Sequence, residues 1–217
     1  MRKLLIILLL CYGFAVEAQP QLKGGLESFV MNNKIYPRYS LQNCIDGTVR
    51  ISFKLNQRGE VYHSKITNGV GTDLDDEALR LIRMSSGRWT VPAGHDSTVA
   101  IIVPISFSIS SEDCRGRSKA QIQQAIQNYV ANQGLTNAVL NFYKNKQRGT
   151  IYTKEEEEKI VALRASLGYD EEYLQQRIAD GRKKLKQKDR QGACEDFLFV
   201  KHMGSELADE LLAQYCN

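Results

Sequence analysis

The chain has no G-x-S-x-G, no H-E-x-x-H, no P-loop and no C-x-x-C. The common serine-hydrolase, zinc, nucleotide and dithiol chemistries therefore lack their residue sets. Histidine is scarce, and the three present are scattered. His63 falls on an expected strand, His95 stands beside Asp96 in a glycine-containing loop, and His202 lies near an expected helix end. No acid, base and nucleophile come together, and no His or Cys spacing suits a metal. The expectation is a protein that is not an enzyme and needs no cofactor. Charge of one sign is also short. A net charge of +4 gives no concentrated basic face, which argues against nucleic acid as a partner. Proline is nearly missing at the front, where Pro20 is the only one ahead of Pro37. Long apolar runs are missing too. Leu4 to Leu10 is unbroken and the apolar character continues to Val16, still short of the ~20 residues that span a membrane.

That first run reads as a secretory signal. Arg2 and Lys3 form its charged start, and Val16-Glu17-Ala18 ends it with small residues where a signal peptidase reads. Cleavage is expected after Ala18. Leu8-Leu9-Leu10-Cys11 offers a lipoprotein alternative, against which stands the bulk of Leu10. Membrane contact is expected only if the segment is retained or Cys11 is lipidated.

What is present begins with a helix from about Leu26 to Asn33, ended by Tyr36-Pro37. Val49, Ile51, Phe53 and Leu55 then alternate with Arg50, Ser52 and Lys54, the period of a half-buried strand over Thr48–Leu55. Asn56-Gln57-Arg58-Gly59 turns the chain into a second strand, Val61–Ile66. Thr72 or Asp73 caps a helix to about Met84, with Glu77 placed to answer the cap. Its stripe of Leu74, Ala78, Leu79, Leu81 and Ile82 can cover one sheet face. Val99–Ile109 is the third strand, and Pro104 marks it as an edge because proline cannot donate to a ladder. A strand order of two-one-three follows, with the third strand open on one side.

Tyr36-Pro37, Asp46-Gly47-Thr48-Val49, Gly59-Glu60-Val61, Leu74-Asp75-Asp76-Glu77-Ala78, Trp89 with Pro92, and Pro104-Ile105-x-Phe107 together resemble the C-terminal domain of TonB-type energy transducers. The resemblance covers roughly Gly24 to Ile109. It implies a periplasmic binding domain that grips an extended segment of an outer-membrane receptor by adding a strand to its last strand. On this chain the implied partner-binding residues are Val99, Ala100, Ile101, Ile102, Val103, Ile105, Ser106, Phe107 and Ser108. The chain departs from the transducers in its spacer, which is nearly absent between the apolar start and the domain.

Four cysteines follow the signal, and an even count in an exported chain points to disulfides. Cys44 precedes strand one and Cys114 follows strand three, so antiparallel pairing brings them together. Cys194 and Cys216 lie on two successive helices joined at Gly204. The expected bridges are Cys44–Cys114 and Cys194–Cys216, with four free buried thiols as the alternative.

After a polar linker at 111–118, no strands are expected. Helices are expected over Ala120–Gln133, stopped by Gly134, and over Thr136–Lys146. Thr153 with Glu156 makes a capping box, and Asp170 caps the next helix. Glu155–Glu158 suits a helix start, and Lys183, Lys184, Lys186 and Lys188 read as a solvated face. Gly181, Ala193 and Phe197 are spaced as in a tetratricopeptide-like repeat, and Ser205-Glu206-Leu207-Ala208 opens a last helix.

The expected fold is therefore α+β. A signal at 1–18 precedes a TonB C-terminal-like domain at 19–110, made of a small three-stranded antiparallel sheet with a packed helix. An all-α, helical-repeat-like domain at 119–217 follows the linker. The expected function is a non-catalytic periplasmic binding protein that docks an outer-membrane receptor or other envelope protein of transmembrane transport. Two alternatives stand beside it: an inner-membrane-anchored transducer facing the periplasm, and an envelope scaffold that forms a homodimer through its sheet edge. The mass and N-terminal sequence of the native protein separate these readings. A start at Gln19 is expected, and an intact Met1 in the inner membrane would favour the anchored transducer.

Overall fold

The computed structural model describes residues 19–110 and 114–216. The expected signal segment with Cys11, and 111–113 of the expected linker, lie outside the described residues. The elements in order are β1 (Gln21–Leu22), α1 (Leu26–Asn33), α2 (Arg38–Gln42), β2 (Gly47–Leu55), β3 (Val61–Asn68), α3 (Asp73–Met84), β4 (Trp89–Thr90), β5 (Ile101–Phe107), α4 (Lys119–Gln147), α5 (Lys154–Ser166), α6 (Glu171–Lys186), α7 (Arg190–His202) and α8 (Asp209–Tyr215).

The main sheet has the order β3-β2-β5, antiparallel throughout. Alternation decides its faces. Val49, Ile51, Phe53 and Leu55 of β2 are fully buried, and Ile105 and Phe107 of β5 join them. Leu74, Ala78, Leu81 and Ile82 of α3 close that core from one side. The turn into β3 depends on Gly59, whose φ is +74° and whose missing Cβ would stand 2.2 Å from the Trp89 carbonyl oxygen. A side chain there would be both strained and blocked. The short pair β1–β4 brings Leu22 against Trp89, over the Phe53 ring at 5.3 Å from the indole.

Several local expectations are corrected. Thr72 caps α3 through the Leu74 amide, but Glu77 does not answer it. The third position of the helix is Asp75, which accepts from the amides of Val70 and Gly71 at 2.8 and 2.9 Å. Glu77 turns instead to the Ile35 amide and to Arg80. Gly134 does not stop a helix: α4 passes straight through it. A mid-helix glycine costs only ~1 kcal/mol relative to alanine, which packing on both sides offsets. Ser205-Glu206-Leu207-Ala208 does not open the last helix: Leu207 and Ala208 form a turn, and α8 starts at Asp209. α2 and the pair β1–β4 are too short to have left a periodic signal.

Two hydrophobic clusters are present among the described residues. The first spans Leu22 to Ala125 and the second Val139 to Leu211. Helix α4 contributes to both: Ala125 to the first, Val139 to the second. A bridge at Cys44–Cys114 ties the start of β2 to the segment after β5, and one at Cys194–Cys216 ties α7 to the end of α8. The first closes 70 residues of sequence, a long loop whose cross-link stabilises by roughly 4 kcal/mol in the chain-entropy view.

In the second cluster α6 and α7 approach closely because Gly181 lacks a side chain. A Cβ there would lie 2.5 Å from Cε1 of Phe197. Asp196, 1% exposed, is held between Arg177 at 2.9 Å and Lys184 at 2.7 Å, so Lys184 leaves the solvated face expected for it. Glu155, Glu156, Glu157 and Glu158 are each engaged, three with lysines and Glu156 with its cap. Gly181→Ala is expected to lower stability by about 1–3 kcal/mol through overpacking, despite alanine's better helix propensity. Thermal unfolding checks this; an unchanged or raised melting temperature would show that Phe197 yields freely.

Candidate docking edge

A three-stranded sheet has two edges, and each presents backbone N–H and C=O groups that need partners. Which groups face outward follows from the ladder. The Arg50 carbonyl points to the β3 side, where Thr67 Oγ1 donates to it at 3.1 Å. Arg50 pairs with Pro104 on the other side. That pair is therefore not hydrogen-bonded, and Pro104 turns its backbone away from β2. The register runs unbroken from Gly47–Phe107 to Phe53–Ile101. Ile102 and Ser106, two residues either side of Pro104, face outward in the same way.

The two edges are in different states. On β3 the outward amide of Val61 donates to Ser86 Oγ at 2.9 Å. At Ser64 the edge is filled from α7. The Ser64 amide donates to Gln191 Oε1 at 2.8 Å, and Gln191 Nε2 donates to the Ser64 carbonyl at 2.7 Å. One side-chain amide from α7 thus makes both bonds that an added strand would make. Arg83, nearly buried, holds it in place. Its Nε donates to Ser64 Oγ at 2.8 Å, and its two terminal nitrogens grip Glu195 at 2.8 and 2.7 Å. His63, beside this point, has φ +49°, and the β2–β3 register shifts between Ser52 and Lys54. The edge is bulged as well as filled, two devices that block strand addition.

On β5 the outward N–H of Ile102 and of Ser106, and the outward C=O of Ile102 and of Pro104, have no partner among the described residues. Pro104 supplies no donor. The Ser106 carbonyl accepts from Lys34 Nζ at 3.3 Å, and the same ammonium lies 5.6 Å above the Phe107 ring. Lys34 thus bounds the edge at one end. At the other end a cleft of about 450 Å³ opens between Pro20, Pro92, His95, Val99 and Ile101. Asp96 in its rim has its carboxyl held below the usual range, first by the Thr98 hydroxyl and then by the Thr98 amide. Tyr36, edge-on to Phe107 at 5.9 Å, donates to the Ile45 carbonyl at 2.7 Å. Burial first, and then Asp46 and Asp73, push its hydroxyl up to about 12.

The partner-binding residues expected on β5 are thus brought onto one strand only in part. Ile101 to Phe107 form it. Val99, Ala100 and Ser108 lie outside it. Val99 closes a turn on the Asp96 carbonyl, with Thr98 bonded to the Asp96 side chain, so the strand starts later. Ser108 has nothing to pair with, because β2 begins at Gly47, opposite Phe107. Within the strand, Ile105 and Phe107 bury their side chains, whereas Ile102 is 59% exposed. Sequence reasoning missed Gln191, Glu195, Arg83 and Lys34. The first pairs with a residue 127 positions away, a distance at which no local pattern carries a signal. The three histidines do not converge. His202 ends α7, where burial first, and then Lys144, Lys201 and Arg148, push its pKa down rather than favouring its charge.

Residues 32–109 match the family described as the Gram-negative bacterial TonB protein C-terminal domain. The chain shows no significant similarity to a curated protein or to a solved structure.

Gln191→Ala is expected to free the β3 edge without unfolding either core. Leaving the Ser64 groups unpaired costs about 1–3 kcal/mol. Amide exchange at Ser64 should accelerate at least tenfold, while exchange in β2 stays slow. Equal protection at Ser64 in both proteins would mean that something else fills this edge.

Proposed function

We propose, starting from a TonB C-terminal domain over residues 32–109, that the chain is a non-catalytic envelope protein that captures an extended segment of an outer-membrane transport partner by strand addition to β5. One observation carries the reading: on β3 the outward groups of Val61 and Ser64 are taken by Ser86 and Gln191, whereas on β5 the outward N–H and C=O of Ile102, the C=O of Pro104 and the N–H of Ser106 have no partner among the described residues. Backbone bonds to Ile102, Pro104 and Ser106 supply affinity, and side chains on either face supply selectivity. Pro104 interrupts the ladder at its middle. The edge then offers two short stretches of donors rather than one long flat one, which limits indiscriminate pairing.

The two disulfides fit an oxidising compartment, so we place the protein in the periplasm. No helix among the described residues is long and apolar enough to cross a membrane. The helical segment has a defined part in this reading: through Gln191 and Glu195 of α7, gripped by Arg83 of α3, it takes up the Ser64 position of the competing edge.

The test is a pair of proline substitutions read against peptides taken from the periplasmic segments of outer-membrane receptors. Ile102→Pro and Ser106→Pro each remove one outward donor and no β2 ladder bond. Each should weaken peptide binding roughly fivefold to tenfold, with the melting temperature nearly unchanged. Val103→Pro, facing β2, should unfold the sheet instead. Undiminished peptide binding by folded Ile102→Pro and Ser106→Pro proteins would rule out docking on this edge.

A further inference from the structure

The three strands of the main sheet contain Arg50, Lys54 and Lys65 and not one Asp or Glu. The ladder puts all three cations on the face away from α3. Arg50 lies opposite Pro104, Ser52 lies opposite both Lys65 and Ile102, and Lys54 is two residues along from Ser52. The apolar residues between them point to the core. None of the three makes an ion pair among the described residues. Asp96 feels the charge of Lys54 but makes no ion pair with it, and its Oδ1 accepts from the Thr98 amide and hydroxyl. Arg50 and Lys54, without ion pairs, therefore stand one strand in from the β5 edge, with Lys65 one strand further.

Between these cations and that edge stand small side chains. Pro104 is the neighbour of Arg50, and Ala100, one residue before the strand, is next to the Lys54 position. Ile102 stands between them, opposite Ser52. A strand added to β5 would lie about 10 Å from β2, two strand spacings away. A long basic stem reaching over Pro104 or Ala100 and a Glu side chain reaching back close that gap between them. A bulky residue at either place would have prevented it.

We infer that the segment captured on β5 is acidic in a set pattern: carboxylates at positions i and i+4 of its solvent-side face, with an apolar residue at i+2. The i and i+4 carboxylates meet Lys54 and Arg50, themselves four residues apart, and the i+2 side chain packs on exposed Ile102. Lys65, one strand further away, adds to the field but not to the contacts. Lys34, at the Ser106 end, sets the limit of the docked stretch. This inference rests on strand addition at β5 and adds the chemistry of what is added. Exposed ion pairs contribute little singly, so the pattern acts mainly on selectivity and on encounter rate.

The experiment uses the full oxidised chain and short peptides with Glu at i and i+4 and Val at i+2, with a Lys-for-Glu counterpart. Binding is measured from low to high salt, beside vesicles of phosphatidylglycerol. The Glu peptide should bind about tenfold more tightly at low salt, with the gap closing as salt screens it. The double variant Arg50→Glu, Lys54→Glu should reverse the order of the two peptides. Ile102→Pro should weaken both. Equal binding of the two peptides, with Ile102→Pro still weakening both, would overturn the acidic preference and leave strand addition standing. A Glu preference untouched by Ile102→Pro would overturn both. Binding to vesicles through Arg50 and Lys54, with no peptide bound, would overturn the inference in favour of a membrane surface.

Discussion

The contact on which this architecture turns is the side-chain amide of Gln191 laid against the backbone of Ser64. A small sheet cannot leave both edges bare, because unpaired backbone groups recruit whatever strand is near. Closing one edge with a strand would need a longer chain segment and would flatten the bulge at His63. At Ser64 a single amide does it with one donor and one acceptor. The surrounding Arg83–Glu195 grip makes the arrangement stiff, since the guanidinium is planar and binds the carboxylate with two parallel bonds. The seating of α7 against β3 thus rests on this one amide and the grip beside it.

Much of the fold was legible because its signals are local and periodic. The alternation of Val49, Ile51, Phe53 and Leu55 fixed a face, Gly59 marked the turn, and Pro104 pointed to the edge. The cysteines flanking β2 and β5 could be paired once the strands were taken as antiparallel. What was not legible lies in two regimes. Short elements such as α2 and the β1–β4 pair hold too few residues for a period to appear. Contacts between distant residues, Gln191 with Ser64 above all, depend on how two cores are set against each other. Gly134 misled for a third reason. Its cost in a helix interior is real, but it is smaller than what Ala125 and Val139 gain by packing on either side of it.

The β5 edge shows the same division. The strand and its outer side were readable, while its ends were not. They depend on the turn that Asp96 and Thr98 impose at one end and on where β2 starts at the other. The cations of the open face were visible as Arg50, Lys54 and Lys65 in the sequence. Their meaning appears only when the register places small side chains between them and the edge.

The bridge between Cys44 and Cys114 has a mechanical side. Suppose a tethered ligand pulls on β5 while the far end of the molecule is held. In a hairpin-like sheet such a load is prone to peel the edge strand away from its neighbour one bond at a time, starting at its terminus. Here Cys114, in the segment that leads from β5 to α4, is fastened covalently to Cys44, just before β2. Tension that reaches it is handed directly to the central strand and to the 29-residue helix that spans both cores. The β2–β5 bonds are then loaded together, in shear, rather than opened in succession.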